Sequence, residues 1–187
     1  MNKVLLPIFV LMFCAGTVFA QQGSIGIFSD VVGVDCNLLD VGMGLGAYNV
    51  VHTGTTGSMA CAFVAAHPAC LTATYLSDTH PFPVTIGSSQ TGVAVGYGSC
   101  RVGAIHVLTI NYFTMGTTPA CCYYPVTCDP RESNRCAGGL LDTVDCSQHP
   151  AVASPGFGMI NANQSCLCSV PTEDTTWGQV KALYRGE

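Results

Sequence analysis

Eleven cysteines follow residue 20: Cys36, Cys61, Cys70, Cys100, Cys121, Cys122, Cys128, Cys136, Cys146, Cys166 and Cys168. Each is a metal ligand, a nucleophile or half of a disulfide. Structural zinc sites repeat Cys-x2–4-Cys or combine such pairs with histidine. Here the thiols stand adjacent at Cys121-Cys122 and two apart at Cys166-x-Cys168, with Cys128 and Cys136 well separated, and no zinc spacing appears. Cysteine this dense in an exported chain reads as a disulfide framework. Each bridge contributes about 2–4 kcal/mol, mainly by restricting the unfolded chain. Eleven is odd, so one thiol is free or pairs between molecules.

Two expectations about pairing follow from the local sequence. Asp129–Arg135 is polar and holds Pro130, so it cannot bury itself and gains from a short Cys128–Cys136 cross-link. Cys121 and Cys122 should take different partners, because neighbouring Cα atoms lie ~3.8 Å apart, below the usual disulfide range. Cys146, Cys166 and Cys168 are the expected partners.

Other reactive side chains read as structural. His67, His80 and His149 precede proline and belong in turns, while His52 and His106 fall in expected strands. Gly98-Ser99-Cys100 lacks the glycine pattern and the strand-to-helix turn of a nucleophile elbow. Asp78-Thr-His80 reads as a turn, and Glu173-Asp174 as acids at a helix start. Asp30, Asp35 and Asp40 form no Asp-x-Asp-x-Asp run and read as solvated turn acids. Asn163-Gln-Ser165 fits a glycosylation sequon. Nothing in this set calls for a cofactor.

The elements around these residues are strands. Val93, Val95 and Tyr97 alternate with Ala94 and Gly96, the period of a half-buried strand. With Val84–Ile86 and Ile105–Phe113 they form an expected three-strand meander at the centre of the chain. Ile105–Phe113 is a continuous β-branched and aromatic run, which suggests burial on both faces. Further strands are expected at Gly23–Ser29, Ala47–Thr53, Met59–Val64, Leu71–Leu76, Leu140–Cys146 and Gly158–Ala162. Gly54-Thr-Thr-Gly57 reads as a turn, and Val31–Gly46 as irregular. Strands about ten residues apart argue for an antiparallel β-sandwich.

The ends differ from this body. Lys3, the apolar run Val4–Ala15 and Val18-Phe19-Ala20 read as a signal peptide over residues 1–20. The sandwich would occupy 21–170 and a tail 171–187. A membrane anchor or a lipid at Cys14 fits less well, since the apolar run is short and Phe13 is large. In the tail, acids precede Trp177, Val180 and Tyr184, spaced i, i+3 and i+7, with Lys181 and Arg185 near the end. That pattern predicts a short C-terminal helix with one apolar stripe, docked on its own domain or recognised by a secretion or anchoring partner. Charged residues are 9% and the net charge is −5 with no basic cluster, so nucleic acid is an unlikely partner class on electrostatic grounds. No later apolar stretch reaches the ~18 residues of a membrane span.

Several stretches resemble a group of uncharacterised short secreted bacterial cysteine-rich proteins. They are Val84–Cys100, His106–Asn111, Cys121–Pro125, Asp145-Cys146 and Asn161–Cys168, with a Trp-Gly-x-x-Lys-x-Leu-Tyr-Arg tail over Trp177–Arg185. The resemblance covers most of the chain after residue 20, and Cys61, Cys128 and Cys136 stand outside the shared pattern. It implies an Ig-like or cohesin-like β-sandwich tied by disulfides, with no activity to carry over. The expectation is an all-β antiparallel sandwich with about five disulfides. Its function would be that of an exported non-catalytic protein acting in adhesion or assembly, outside the cell, at its surface or in the periplasm. Protein or glycan partners and self-association are all open. The alternatives are a carbohydrate- or metal-binding module, for which Tyr123 and Tyr124 are the clustered aromatics, and then a hydrolase.

Overall fold

The computed structural model describes residues 21–40, 42–132 and 136–168. In chain order the strands are β1 (Gln21–Phe28), β2 (Asn37–Leu38), β3 (Met43–Phe63), β4 (Ala73–Thr79), β5 (Val84–Ser88), β6 (Gly92–Met115), β7 (Cys122–Pro125), β8 (Leu141–Asp145), β9 (Pro150–Pro155) and β10 (Phe157–Ile160). The only helical segments among the described residues are single 3-10 turns at Pro130–Glu132 and Ala137–Gly139. The expected leader 1–20 and the tail helix with Trp177, Val180 and Tyr184 lie outside the described residues.

Strands β3 and β6 are the frame. They pair antiparallel from Met43↔Met115 to Phe63↔Val93. The sequence reading of each as two strands is corrected here: Gly54–Gly57 and Gly98–Gly103 lie inside continuous strands. The register slips around Thr55 and Ser58 without breaking the pairing. Gly54, at φ 65, supplies the left-handed backbone such an irregularity uses. A bulge and a turn ask for the same residues, so local chemistry does not separate them.

The bend gives the two halves of the ribbon different neighbours. The first half of β3 pairs with β1, and the matching half of β6 with β4. The second half of β3 pairs with β8, and the first half of β6 with β5. Strand β9 pairs antiparallel with β8 and parallel with β1. A small second sheet runs β2-β10-β7, in which β10 and β2 are also parallel. The purely antiparallel expectation is therefore corrected at two pairings. Both join segments far apart in sequence, where no tight turn dictates direction.

Burial follows the alternation on β6. Val93, Val95 and Tyr97 face the core, and Ala94 and Gly96 face outward. Ile105–Phe113 departs from the expected two-sided burial: Ile105, Ile110 and Tyr112 are buried, while Phe113 is exposed. The outer side of this half of the ribbon is exposed at its Met43, Leu45, Phe113 and Met115 end. Strand β9 was not expected at all, because His149-Pro150 reads as a loop; Pro150 takes the first position, where a strand tolerates proline. Met43 starts a strand inside a stretch expected to be irregular.

One contiguous core joins both halves of the ribbon, including Ile25, Ile27, Val50, Phe63, Ile110 and Leu141. Each large side chain buried there contributes about 1.5–3 kcal/mol. Two buried tyrosine hydroxyls are paired within it. Tyr112 and Tyr124 hydroxyls lie 2.7 Å apart, and the Tyr124 hydroxyl donates to the Ala65 carbonyl at 3.0 Å.

Five disulfides tie the described residues: Cys36–Cys168, Cys70–Cys122, Cys100–Cys146, Cys121–Cys166 and Cys128–Cys136. The partner expected for Cys122 is corrected, since it bonds to Cys70 on the 66–71 loop and not to a cysteine of the closing strands. Cys146 and Cys168 are taken by Cys100 and Cys36. Cys121 sits at φ 62, and the chain turns there before β7 begins. Its neighbour Cys122 is buried, so the two side chains serve different regions.

Candidate functional site

The outer side of the β5–β6–β3–β8 half is built in register from small apolar residues. One cross-strand row reads Val84, Gly96, Ala60 and Val144; the next reads Ile86, Ala94, Ala62 and Asp142. The alternate residues, Val93, Val95, Cys61, Phe63 and Leu141, point into the core. That alternation makes the face flat in its centre, where four of the eight positions are Ala or Gly. Val84 and Ile86 rise at one edge, 55% and 67% exposed. Toward β8 the floor drops into a recess of about 170 Å³ walled by Ala60, Ala62, Ala94, Asp142 and Val144. Asp142 is the single charged residue of the two rows.

The turn below this face is braced from one side. Asp129 and Arg131 form a bidentate contact, with Arg131 Nη2 at 2.6 Å from Asp129 Oδ2. The Arg131 hydrogen bonds hold the Asp129 carboxyl below the usual carboxylate range. Both groups pack over Gly92 (φ 120), where a Cβ would collide with the Asp129 carboxylate. The Cys128–Cys136 loop thus rests on the β5–β6 turn.

The residues weighed for catalysis and metal binding are dispersed or occupied. Asp78 accepts from both the backbone N–H and the hydroxyl of Ser89 at 2.7 Å, and Ser89 is fully buried. Ser99 and the disulfide-bonded Cys100 fall inside β6. His52 is buried: its Nε2–H donates to the Gln22 carbonyl, and its Nδ1 accepts from the Tyr97 hydroxyl at 3.1 Å. Burial lowers its pKa, which keeps the ring neutral. No group of three His, Cys, Asp or Glu is placed to hold a metal ion among the described residues. Asp30 accepts from the N–H groups of Val32, Val34 and Asp35, and closes a loop. Asp35 accepts from Asn37. Asp40 is not the solvated acid expected from sequence: it is buried and accepts from the N–H groups of Gly116 and Thr118. Asn163 is exposed, and its side chain accepts from Ser165. Tyr123 and Tyr124 point to opposite sides of β7, so only Tyr123 faces solvent.

The odd thiol is Cys61, buried in the core beneath the flat face. Burial pushes its pKa up to about 12, with a partial offset from the Tyr97 hydroxyl beside it. Of the two outcomes open to the odd cysteine, this buried position is that of a free thiol and gives no support to pairing between molecules. We expect the Cys61 thiol to be inert to a maleimide reagent at neutral pH and to react stoichiometrically after denaturation. Rapid labelling of Cys61 in the native protein would contradict this placement.

No family model matches the sequence, and no curated protein matches it. Among solved structures, the chain is similar to a non-cellulosomal cohesin from the hyperthermophilic archaeon Archaeoglobus fulgidus, at 10% identity and TM-score 0.47. That alignment covers 75% of this chain and 91% of that one. It is also similar to the sixth cohesin of Acetivibrio cellulolyticus scaffoldin B, solved in complex with a Cel5 dockerin mutant. There the identity is 13% and the TM-score 0.43, over 75% of this chain and 98% of the other. No helix among the described residues is long and apolar enough to cross a membrane.

The sequence alone does not single out this face. Its signal was present, in that Ala60, Ala62, Ala94 and Gly96 alternate with core residues. Only the register shows that these positions, from different strands, lie side by side.

Proposed function

We propose that the chain is an exported, non-catalytic adhesion or assembly module, an Ig-like or cohesin-like sandwich whose β5–β6–β3–β8 face docks a protein partner. The observation that carries this reading is the pair of aligned rows, Val84-Gly96-Ala60-Val144 and Ile86-Ala94-Ala62-Asp142. Alanine and glycine lose no side-chain entropy on burial, and their small size lets a second backbone approach closely. The sheet beneath is held by disulfides, so little reordering opposes association. Five bridges also suit an oxidising compartment outside the cytoplasm.

A glycan platform has less support. It needs rings side by side in solvent, whereas Tyr123 stands 5.0 Å from a half-buried Phe157 and Tyr124 is buried.

Ala94→Arg puts a long cation in the middle of the face, at a position with room for it to reach solvent. The melting temperature should stay within a few degrees of wild type. Immobilised wild-type protein should retain a protease-sensitive component of the native extracellular fraction, and Ala94→Arg should lose it. Leu45→Asp, on the other half of the β3–β6 ribbon, should keep it. Equal retention by Ala94→Arg, or a retained species that resists protease and contains only glycan, would overturn the reading.

A further inference from the structure

The outer side of β3, β6 and β4 carries a ladder of large apolar side chains. Met43 stands opposite Met115, and Leu45 opposite Phe113, with Thr74 of β4 beside Phe113. Met43 and Leu45 are each 79% exposed. The next row, Ala47, Asn111 and Ser77, is also uncharged. Single exposed leucines are ordinary, whereas four large apolar side chains in two adjacent rows make a continuous patch of the kind that marks an interaction surface.

The same face leads to the end of the described chain. Met43, Leu45, Ala47 and Asn49 share one side of β3 by alternation, and after the slip at Val50/Val51 that side continues at Val51. Val51 packs with Phe28, Cys36 and Cys168 in a cluster separate from the main core, and Phe28 pairs with Asn49. The Cys36–Cys168 bridge fixes the chain there, and the Cys168 N–H donates to the Asn37 side chain at 3.0 Å. The described chain therefore ends at Cys168, beside the sheet face that carries the ladder.

Reach is sufficient. Val51 to Leu45 is roughly 20 Å along the strand, at about 3.3 Å per residue. The segment from Cys168 to Trp177 spans up to about 30 Å when extended. Beyond it come Trp177, Val180 and Tyr184, with the single tryptophan of the chain among them. A segment tethered this close meets the ladder at an effective concentration on the order of mM, well above that of a second copy in dilute solution.

We infer that residues 169–187 fold back over this ladder, setting Trp177, Val180 and Tyr184 against Met43, Leu45, Phe113 and Met115. This surface lies on the other half of the ribbon from the proposed docking face, so neither reading depends on the other. The tail would then be an intramolecular cover for a sheet face that is otherwise left to solvent.

Methionine oxidation by hydrogen peroxide, read residue by residue by mass spectrometry on the full chain, tests it. Met43 and Met115 should oxidise slowly in the wild type and several-fold faster in Trp177→Ala/Tyr184→Ala, while Met159 in β10 keeps its rate. Leu45→Asp, an exposed position that the core does not use, should raise acrylamide quenching of Trp177. Equal Met43 oxidation in wild type and double variant would overturn the inference. Protection that fades on dilution would assign the ladder to a second copy and overturn it as well.

Discussion

Replacing Cys70 and Cys122 together by alanine is expected to lower stability by about 4 kcal/mol. The bridge closes 52 residues of chain, so its loss releases a large loop entropy in the unfolded state. It also ties the 66–71 loop, which has no ladder of its own, to β7 and to the core beside Tyr124. Changing both residues leaves no thiol free besides the buried Cys61 among the described residues. The Cys128–Cys136 bridge closes a separation of only 8, and its double alanine variant should lose less, about 2.5 kcal/mol. Denaturant titration of both variants, with the remaining disulfides verified intact, gives the comparison. An equal or reversed order would show that the long bridge does not restrain the unfolded chain as described.

Phe63→Ala should cost about 3–5 kcal/mol, since it removes a large buried ring and leaves a cavity. Phe63 is fully buried on the last pair of the β3–β6 ladder, opposite Val93. It belongs to the contiguous core that draws residues from both halves of the ribbon. The control is Ile86→Ala on the exposed edge of β5, expected within about 0.5 kcal/mol of wild type. Chemical denaturation of the pair would separate core from face. A small loss at Phe63 or a large one at Ile86 would mean that the sidedness of the ribbon is misassigned.

The strand content and the disulfide framework were legible because they rest on local signals. Alternation at Val93–Tyr97 shows directly which side of β6 is buried. The odd cysteine count announces a leftover thiol. It does not identify Cys61, whose inward direction is set by its place between Ala60 and Ala62 on a bent strand. Glycine chemistry at Gly54–Gly57 was read as a turn, because a bulge and a turn use the same backbone conformations. Pairing partners depend on non-local register, and Cys122–Cys70 joins a loop to a strand that only the fold brings together. Tyr123 and Tyr124 show the same limit: adjacency in sequence placed both in one candidate site, and the pleat sends one of them into the core.

The most direct test of the docking face is hydrogen exchange on the complex with whatever protein the wild type retains and Ala94→Arg does not. The account predicts added protection in Val84–Ser88 and Leu141–Asp145, the two strands that border the flat rows, with little change in Ala73–Thr79. Protection confined to Ala73–Thr79, or to the loop around Tyr123, would place the partner elsewhere and contradict it.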